Sequence, residues 1–393
     1  MRRYIDGVER YSSLTGKGLI LLLFVWFLWF VSFSTRTIFS PILPLIEDQF
    51  HVSHARASSL FTVVSVGYGV SLFFSGIYTS LLGLKRSIVV SMAGSGLVFL
   101  LIPFVRTFDV YYVLAMILGL VTGMYLPAAI PLITESYDDK VWGRVISIHD
   151  SAASMSIFAA PFIALGILSF STWPSVFTIL GAVSVGCAIA FWFVVPGTDT
   201  TVRRPFQWDL LRRRSMWLLG ITWVFAAGSN LGLYMILPLY LTKELMLDVS
   251  YANEIFGVSR LGGVAVSITM GFIVDRFSPK RITFLVVFFT GILTMALTMV
   301  DVGWLKVLLF VQACVAIGYF SVALVTVSRL FDKETRGQAT GFIVTLGVIF
   351  GVGIIPYLLG VAGDLASFRV GIFGLGLLTT LSSGLLPFLK ELR

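Results

Sequence analysis

From Ile255 to Ile273 the chain is apolar or small at every position but one, Arg260. A helix rising about 1.5 Å per residue crosses the roughly 30 Å hydrocarbon core of a bilayer over such a run. Arg260 follows Tyr251 by nine positions, which puts it roughly 14 Å below that interface, near the midplane. A guanidinium facing lipid at that depth costs from about 2.5 to more than 10 kcal/mol. It must therefore face protein, water or a ligand.

The rest of the 393 residues repeats the pattern. Apolar runs at 18–45, 55–82, 87–105, 110–134, 144–168, 174–196, 216–242, 252–275, 282–300, 303–328, 337–362 and 367–389 predict twelve spanning helices. With 57% hydrophobic and 12% charged residues, the chain lacks the roughly 25% charge of a soluble domain. The net charge of +8 does not point to nucleic acid, because the basic residues sit in short clusters between apolar runs. The polar, basic first 17 residues lead into a long apolar span without a small-residue cleavage site, so the first helix is expected to be retained.

The basic residues also set an orientation. With the N-terminus inside, 21 of the 28 fall on the inner side and five on the outer, leaving Arg36 and Arg260 within the membrane. Both termini are therefore expected in the cytoplasm, with the chain an integral multi-pass protein of the cytoplasmic membrane. Gly197 to Ser215, carrying Arg203, Arg204, Arg212, Arg213 and Arg214, divides the runs six and six. The expected organisation is a first half over 1–196, a basic cytoplasmic linker over 197–215 and a second half over 216–393.

An internal repeat supports that division. A shift of 195 carries Gly76 onto Gly271, Ser80 onto Asp275, Lys85 onto Lys280, Arg86 onto Arg281, Gly123 onto Gly318 and Pro161 onto Pro356. The stretch from Gly271 through Asp275-Arg276 to Lys280-Arg281 resembles the cytoplasmic loop motif of the major facilitator superfamily, G-x-x-x-D-R/K-x-G-R/K-R/K. Ser278-Pro279 stands where that motif has glycine, and Ser80 where the first half wants aspartate. The resemblance implies an all-α membrane protein of two pseudo-symmetric six-helix halves, working by alternating access, with helices 1, 4, 7 and 10 lining a central cavity. It also implies a gating charge cluster, to which Gly76, Arg86, Glu135, Arg144, Asp275, Arg276 and Arg281 correspond. A solvated helix end is the plainer account of those charges.

Candidate binding residues follow from depth. Arg36 lies about ten residues before the outer end of helix 1, near the depth of Arg260. Ser32, Arg36 and Ser40 form one polar stripe by their i−4, i, i+4 spacing. Arginine stays charged and presents a planar fork that takes carboxylate or phosphate oxygens two at a time. Helix 1 arginines resemble those of organic-anion symporters, and a helix 8 arginine resembles that of oxalate and monocarboxylate transporters. The plainer alternative is neutralisation by a structural partner. Asn230, Tyr234, Gln312, Tyr68 and Tyr125 are further candidate contacts, although interhelical bonding serves each equally well.

Asp150 is the one acidic residue clearly within a span, with His149 beside it. Ser147, Asp150, Ser151 and Ser154 share a face, and His149 points about 100° away. Asp150 is either a proton-coupling acid, helped by His149, or the salt-bridge partner of Arg260. Three histidines and two separated cysteines make no metal spacing or disulfide framework, and no P-loop ends in Gly-Lys-Ser/Thr. Neither an enzyme nor a cofactor is expected.

The reading is a proton-coupled secondary transporter for a small anion, monomeric in the bilayer, because Arg36 and Arg260 against Asp150 leave one net positive charge in the membrane. The alternatives are an exporter of amphiphilic compounds, using the many aromatic residues, and a receptor that keeps the fold without transport. A reporter fused within Gly197–Ser215, or after Arg393, is expected to signal from the cytoplasm. An external signal from either fusion would overturn the orientation.

Overall fold

In a bilayer every backbone N–H and C=O must be satisfied inside the protein, so a chain with this pattern folds as helices. The computed structural model describes residues 2–5, 8–195, 208–332 and 335–389. Apart from a short antiparallel hairpin, β1 (Arg2–Ile5) with β2 (Val8–Tyr11), its regular structure is helical. In chain order come α1 (Lys17–Thr37), α2 (Phe39–Phe50), α3 (His54–Phe73), α4 (Ser75–Leu101), α5 (Phe108–Thr122), α6 (Tyr125–Ser136), α7 (Trp142–Leu168) and α8 (Trp173–Val194). Then follow α9 (Arg214–Ala227), α10 (Leu233–Leu239), α11 (Val249–Val258), α12 (Gly263–Arg276), α13 (Pro279–Ala296), α14 (Val302–Leu330), α15 (Arg336–Leu346), α16 (Ile355–Leu365) and α17 (Phe368–Ser383).

Among the described residues, ten helical stretches are long and apolar enough to cross a membrane. The two remaining apolar runs are interrupted. The run at 252–275 divides into α11 and α12 at Arg260. The run at 55–82 is α3 continued by the start of α4, and it ends at Gly83. There φ is +77°, a left-handed conformation that favours glycine, and the chain kinks between two helices without a loop. Much of the predicted linker, residues 197–207, lies outside the described residues.

The helices gather into two compact units. One comprises Met1–Ile38 and Gly67–Arg204, the other Phe39–Val66 and Pro205–Arg393. The first is built around Leu22, Leu28, Trp29, Tyr125 and Phe191. The second is built around Leu219, Trp223, Val287, Tyr319 and Ala323. Large apolar side chains such as Ile20, Leu81, Phe104 and Phe193 stand exposed, as lipid-facing positions do in a membrane protein.

The 195-residue repeat recurs in the packing. In the first unit α4 and α8 meet at Gly96 and Gly181. A Cβ on Gly96 would lie 2.7 Å from the Gly181 carbonyl, and one on Gly181 would lie 2.9 Å from the Gly96 carbonyl. In the second unit α13 and α17 meet at Gly291 and Gly376, with reciprocal distances of 2.6 and 2.7 Å. Each pair is the other shifted by 195. Small residues let two helix backbones touch, which is the main source of association where lipid removes the hydrophobic drive.

Gly291→Val is therefore expected to lower the melting temperature in detergent, because a side chain there must push two backbones apart, at about 1–3 kcal/mol or more. Gly186→Val, at a glycine of α8 with no atom near its Cβ position, is the control and is expected to melt close to wild type.

Candidate functional site

Each unit holds one of the two intramembrane arginines, and the surroundings differ. In the first unit, Trp29, Phe33 and Arg36 follow one another at i, i+4 and i+7 on α1, so they share a face. The Arg36 guanidinium carbon lies 4.5 Å from the Phe33 ring centroid, 5.8 Å from that of Trp29 and 4.3 Å from that of Tyr68 on α3. Rings stabilise a cation through their quadrupoles, with the largest effect where water is scarce. Among the described residues no carboxylate pairs with Arg36, and its Nε has no hydrogen-bond partner. The side chain is half-buried, so the charge is caged but not sealed.

Only Ile38 separates α1 from α2; it keeps helical backbone angles and its N–H bonds the Ser34 carbonyl, so Lys17–Phe50 forms one span. The members of the predicted stripe nevertheless have different surroundings. Ser32 is buried without a hydrogen-bond partner, whereas Ser40 belongs to the second unit, where its hydroxyl donates to the Tyr234 carbonyl at 2.8 Å.

Behind Arg36, Trp29, Tyr125 and His149 lie nearly parallel. Their centroids are 5.1 to 6.0 Å apart and their planes within 10° of one another. The Tyr125 hydroxyl donates to the Val25 carbonyl at 2.9 Å. Its one proton being so used, the 3.3 Å contact with His149 is donated by the imidazole Nε2–H. His149 is thus the Nε2–H tautomer, with a buried and unpartnered Nδ1. The residue is fully buried, as its 100° offset from the polar face implies.

Asp150, one position on, is exposed on α7, as is Ser147, and Ser151 and Ser154 are half-buried on the same face. The Trp29 indole N–H lies beside Asp150 without closing a hydrogen bond, while the Trp26 indole donates to Ser151 Oγ at 3.0 Å. Trp26, Trp29 and Phe33 were not among the residues singled out from sequence. Their helical spacing relative to Arg36 is the signal that marks them.

In the second unit, Arg260 is 4% exposed and sits in the turn between α11 and α12. Its Nη1 donates to Asn230 Oδ1 at 2.7 Å and its Nη2 to the Asn230 carbonyl at 3.3 Å. Asn230 lies in a π-helical segment, Gly228–Gly232, where the widened turn alters the backbone ladder and makes a carbonyl available to a side chain. The Tyr234 ring, one turn on, is 4.9 Å from the guanidinium carbon and 4.3 Å from the Phe256 ring. Gln312 spends its amide protons on the Ser229 carbonyl at 2.8 Å and Thr294 Oγ1 at 3.1 Å. Both Asn230 and Gln312, candidate contacts by sequence, are thus engaged in bonds between helices. The glycines of the run at 347–353 pack closely, Gly351 against the Val224 carbonyl and Gly353 against Ser65.

The predicted charge cluster is placed only in part. Arg86, Arg144, Arg276 and Arg281 are exposed, Glu135 is half-buried, and Gly76 has open space beside it. The side chain of Asp275 lies outside the described residues. Among the described residues, no group of three or more His, Cys, Asp or Glu is arranged to hold a metal ion.

Broken helices, with charged groups at the breaks, are how many secondary transporters build their substrate sites. Comparison with known proteins agrees. The sequence model of the Major Facilitator Superfamily matches residues 25–302 and 218–392. The chain belongs to that superfamily.

It is a multi-pass membrane transporter and not an enzyme. A TsgA homolog from Erwinia tasmaniensis is 24% identical over 322 residues, covering 78% of this chain and 79% of that protein. A gallate transporter from Pseudomonas putida is 22% identical over 390 residues, covering 87% of this chain and 84% of the other. Among solved structures, a D-xylose-proton symporter superposes with a TM-score of 0.77 at 14% identity, covering 95% of this chain and 98% of that one.

Replacing Asn230 with leucine removes the acceptor at 2.7 Å from a buried charge. Asn230→Leu is expected to cost about 1.5–3 kcal/mol, read as a lower melting temperature, since bonds to charged groups are worth about that much. Asn230→Asp, which returns an acceptor, is expected to recover most of the loss. Equal melting of both variants and wild type would separate Arg260 from Asn230.

Proposed function

We propose that this superfamily member moves a small organic carboxylate, with Arg36 as the group that meets it and Asp150 as the proton carrier. The observation that carries the reading is the Arg36 guanidinium, half-buried among three rings and, among the described residues, without a carboxylate partner. Its rings and the Tyr68 hydroxyl soften the charge, but its Nε stays unpartnered and no carboxylate meets the fork among the described residues, so a carboxylate supplies what it lacks. A cation substrate would meet repulsion there. Support also comes from a relative named for gallate, an aromatic carboxylate whose ring suits an aromatic surround.

Arg260 plays a different part. With two of its donors on Asn230 it is a fixed positive charge that favours an anion nearby, and its unpartnered Nε remains to be filled. Proton carriage falls to Asp150 because the residue is accessible on α7, whereas His149 is buried, so a proton can arrive and leave. His149, sealed in the ring stack, keeps Trp29 and Tyr125 in place. A D-xylose-proton symporter with the same fold is consistent with coupling to protons.

The test is uptake by proteoliposomes, with labelled gallate, benzoate and pyruvate as probes under an imposed pH gradient. Carboxylate accumulation is expected in wild type. Arg36→Lys keeps the charge and loses the fork, so affinity is expected to fall at least tenfold with little change in melting temperature. Flux of none of the three, with extrusion of amphiphilic cations instead, would replace the reading by the exporter.

Asp150→Asn separates binding from coupling. Counterflow, which needs no net proton movement, is expected to survive, and accumulation driven by the pH gradient to be lost. A stable variant that still concentrates substrate would remove Asp150 from the coupling step.

A further inference from the structure

One cluster of titratable groups lies where α2 turns into α3, and it shares no residue with the surroundings of either arginine. Glu47, on α2, is 6% exposed, which is rare for a carboxylate. His54 opens α3, ahead of the apolar run that starts at Ala55, and its Nδ1 donates to Glu47 Oε2 at 2.8 Å. The other Glu47 oxygen is 3.9 Å from the Lys243 ammonium, which also binds Asp48. Asp364 of α16 accepts from the backbone N–H groups of His54 and Ala55, both at 2.9 Å, and so caps α3. The His54 ring lies 4.9 Å from that of Phe368 on α17, whose own N–H is capped by Glu244. Arg369 Nε is 3.7 Å from Glu244.

Two features give the cluster meaning. The first is its charge. Glu47, Asp48 and Asp364 set three negative charges around His54 and the single ammonium of Lys243. The second is its position. Asp48 and Lys243 are 195 residues apart, the period of the repeat, so they occupy corresponding ends of the first and seventh spans. The contacts tie Phe39–Val66, which precedes the linker in sequence, to segments that follow it, and all of them lie within the second unit. The same segment is held by the Ser40 hydroxyl on the Tyr234 carbonyl, by Asn253 Nδ2 on the Pro41 carbonyl at 3.2 Å, and by Thr62 on the Gly353 carbonyl at 2.8 Å.

We propose that Glu47 and His54 form a proton-binding latch: a proton held between them keeps Phe39–Val66 fastened to the C-terminal helices, and its loss lets that end of the molecule open. Alternating access requires corresponding helices of the two repeats to part at one end in each cycle. The linkage has a definite sign. The hydrogen bond to Glu47 raises His54 above its ordinary imidazole value near 6.5, and the Glu47 and Asp364 charges add to that rise, against burial and Lys243. A group whose affinity for the proton is higher in the closed form stabilises that form at low pH. The stabilisation fades as pH rises through the raised value, so the latch holds in acid and releases above about 6.5. The inference does not depend on which anion is carried.

The test reads opening directly, in purified full-length protein in nanodiscs, where both ends are accessible to reagent. Cys187 and Cys314 are replaced by serine. The buried Ser40 becomes the reporter as Ser40→Cys, labelled with a water-soluble maleimide between pH 5.5 and 8.5. Rates are divided by those of Met246→Cys, an exposed position, which cancels the ionisation of the thiol itself. The normalised rate is expected to rise at least fivefold with pH, with a midpoint above 6.5. His54→Gln is expected to label fast at every pH, and Glu47→Gln to label faster than the parent with its midpoint lowered towards 6.5. If His54→Gln does not fold, Glu47→Gln carries the test alone. A pH-independent rate in the parent, or a pH dependence unchanged in either variant, would overturn the latch.

Discussion

A charge within an apolar interior must be compensated, and the fold meets that requirement for two arginines by two different routes. Arg260 is neutralised as a dipole partner, with one amide oxygen and one carbonyl of Asn230 taking two donors. Arg36 is stabilised by the faces of Trp29, Phe33 and Tyr68, which leave its Nε unpartnered and, among the described residues, no carboxylate on the fork. Hydrogen bonding consumes the functional capacity of a guanidinium, whereas ring contact preserves it. The first solution favours rigidity and the second favours exchange with a ligand. Their coexistence explains why the two arginines take different parts in the proposed cycle.

Both solutions depend on interruptions in the helices. Arg260 occupies a turn between α11 and α12, Asn230 a π-helical segment, and Arg36 the last turn of α1, just ahead of the junction with α2 at Ile38. Irregular backbone at membrane depth is tolerated where protein or water satisfies it. Here a side chain does part of that work, since the Asn230 carbonyl accepts from Arg260. Function and irregularity therefore share residues, because the same break that exposes a backbone group also places a charge to bind it.

Much of this was legible in the sequence. Length and apolarity of the runs predicted the helices, and the position of Arg260 within one of them required a non-lipid environment whatever its partner. The 195-residue shift announced repeated packing, which the Gly96–Gly181 and Gly291–Gly376 contacts display. What sequence could not supply were the partners. Asn230 and Gln312 read equally as substrate contacts or as bonds between helices, and only the structure supplies the partner each one takes, because periodicity gives a direction about one helix and says nothing of the neighbour. The partner of Ser40 was hidden too, since the i+4 spacing that placed it on the stripe of Arg36 does not reveal the Tyr234 carbonyl it bonds.

The repeat shows what duplication preserves and what it releases. The paired glycines persist at the 195-residue spacing because their constraint is steric and applies equally in each half. The charges do not. Asp48 and Lys243 occupy corresponding positions with opposite signs, and they meet. Two copies of one charge would repel at the same site, so a contact between equivalent ends demands that the copies diverge. The intramembrane arginines diverge likewise: shifting Arg36 by 195 arrives at Leu231, and shifting Arg260 back arrives at Ser65. Symmetry thus governs how the helices pack, and departures from it decide where charge lies. A carrier with identical halves would offer a substrate matching charges in both and no charge pair to fasten one end, so the asymmetry in this chain is where its chemistry begins.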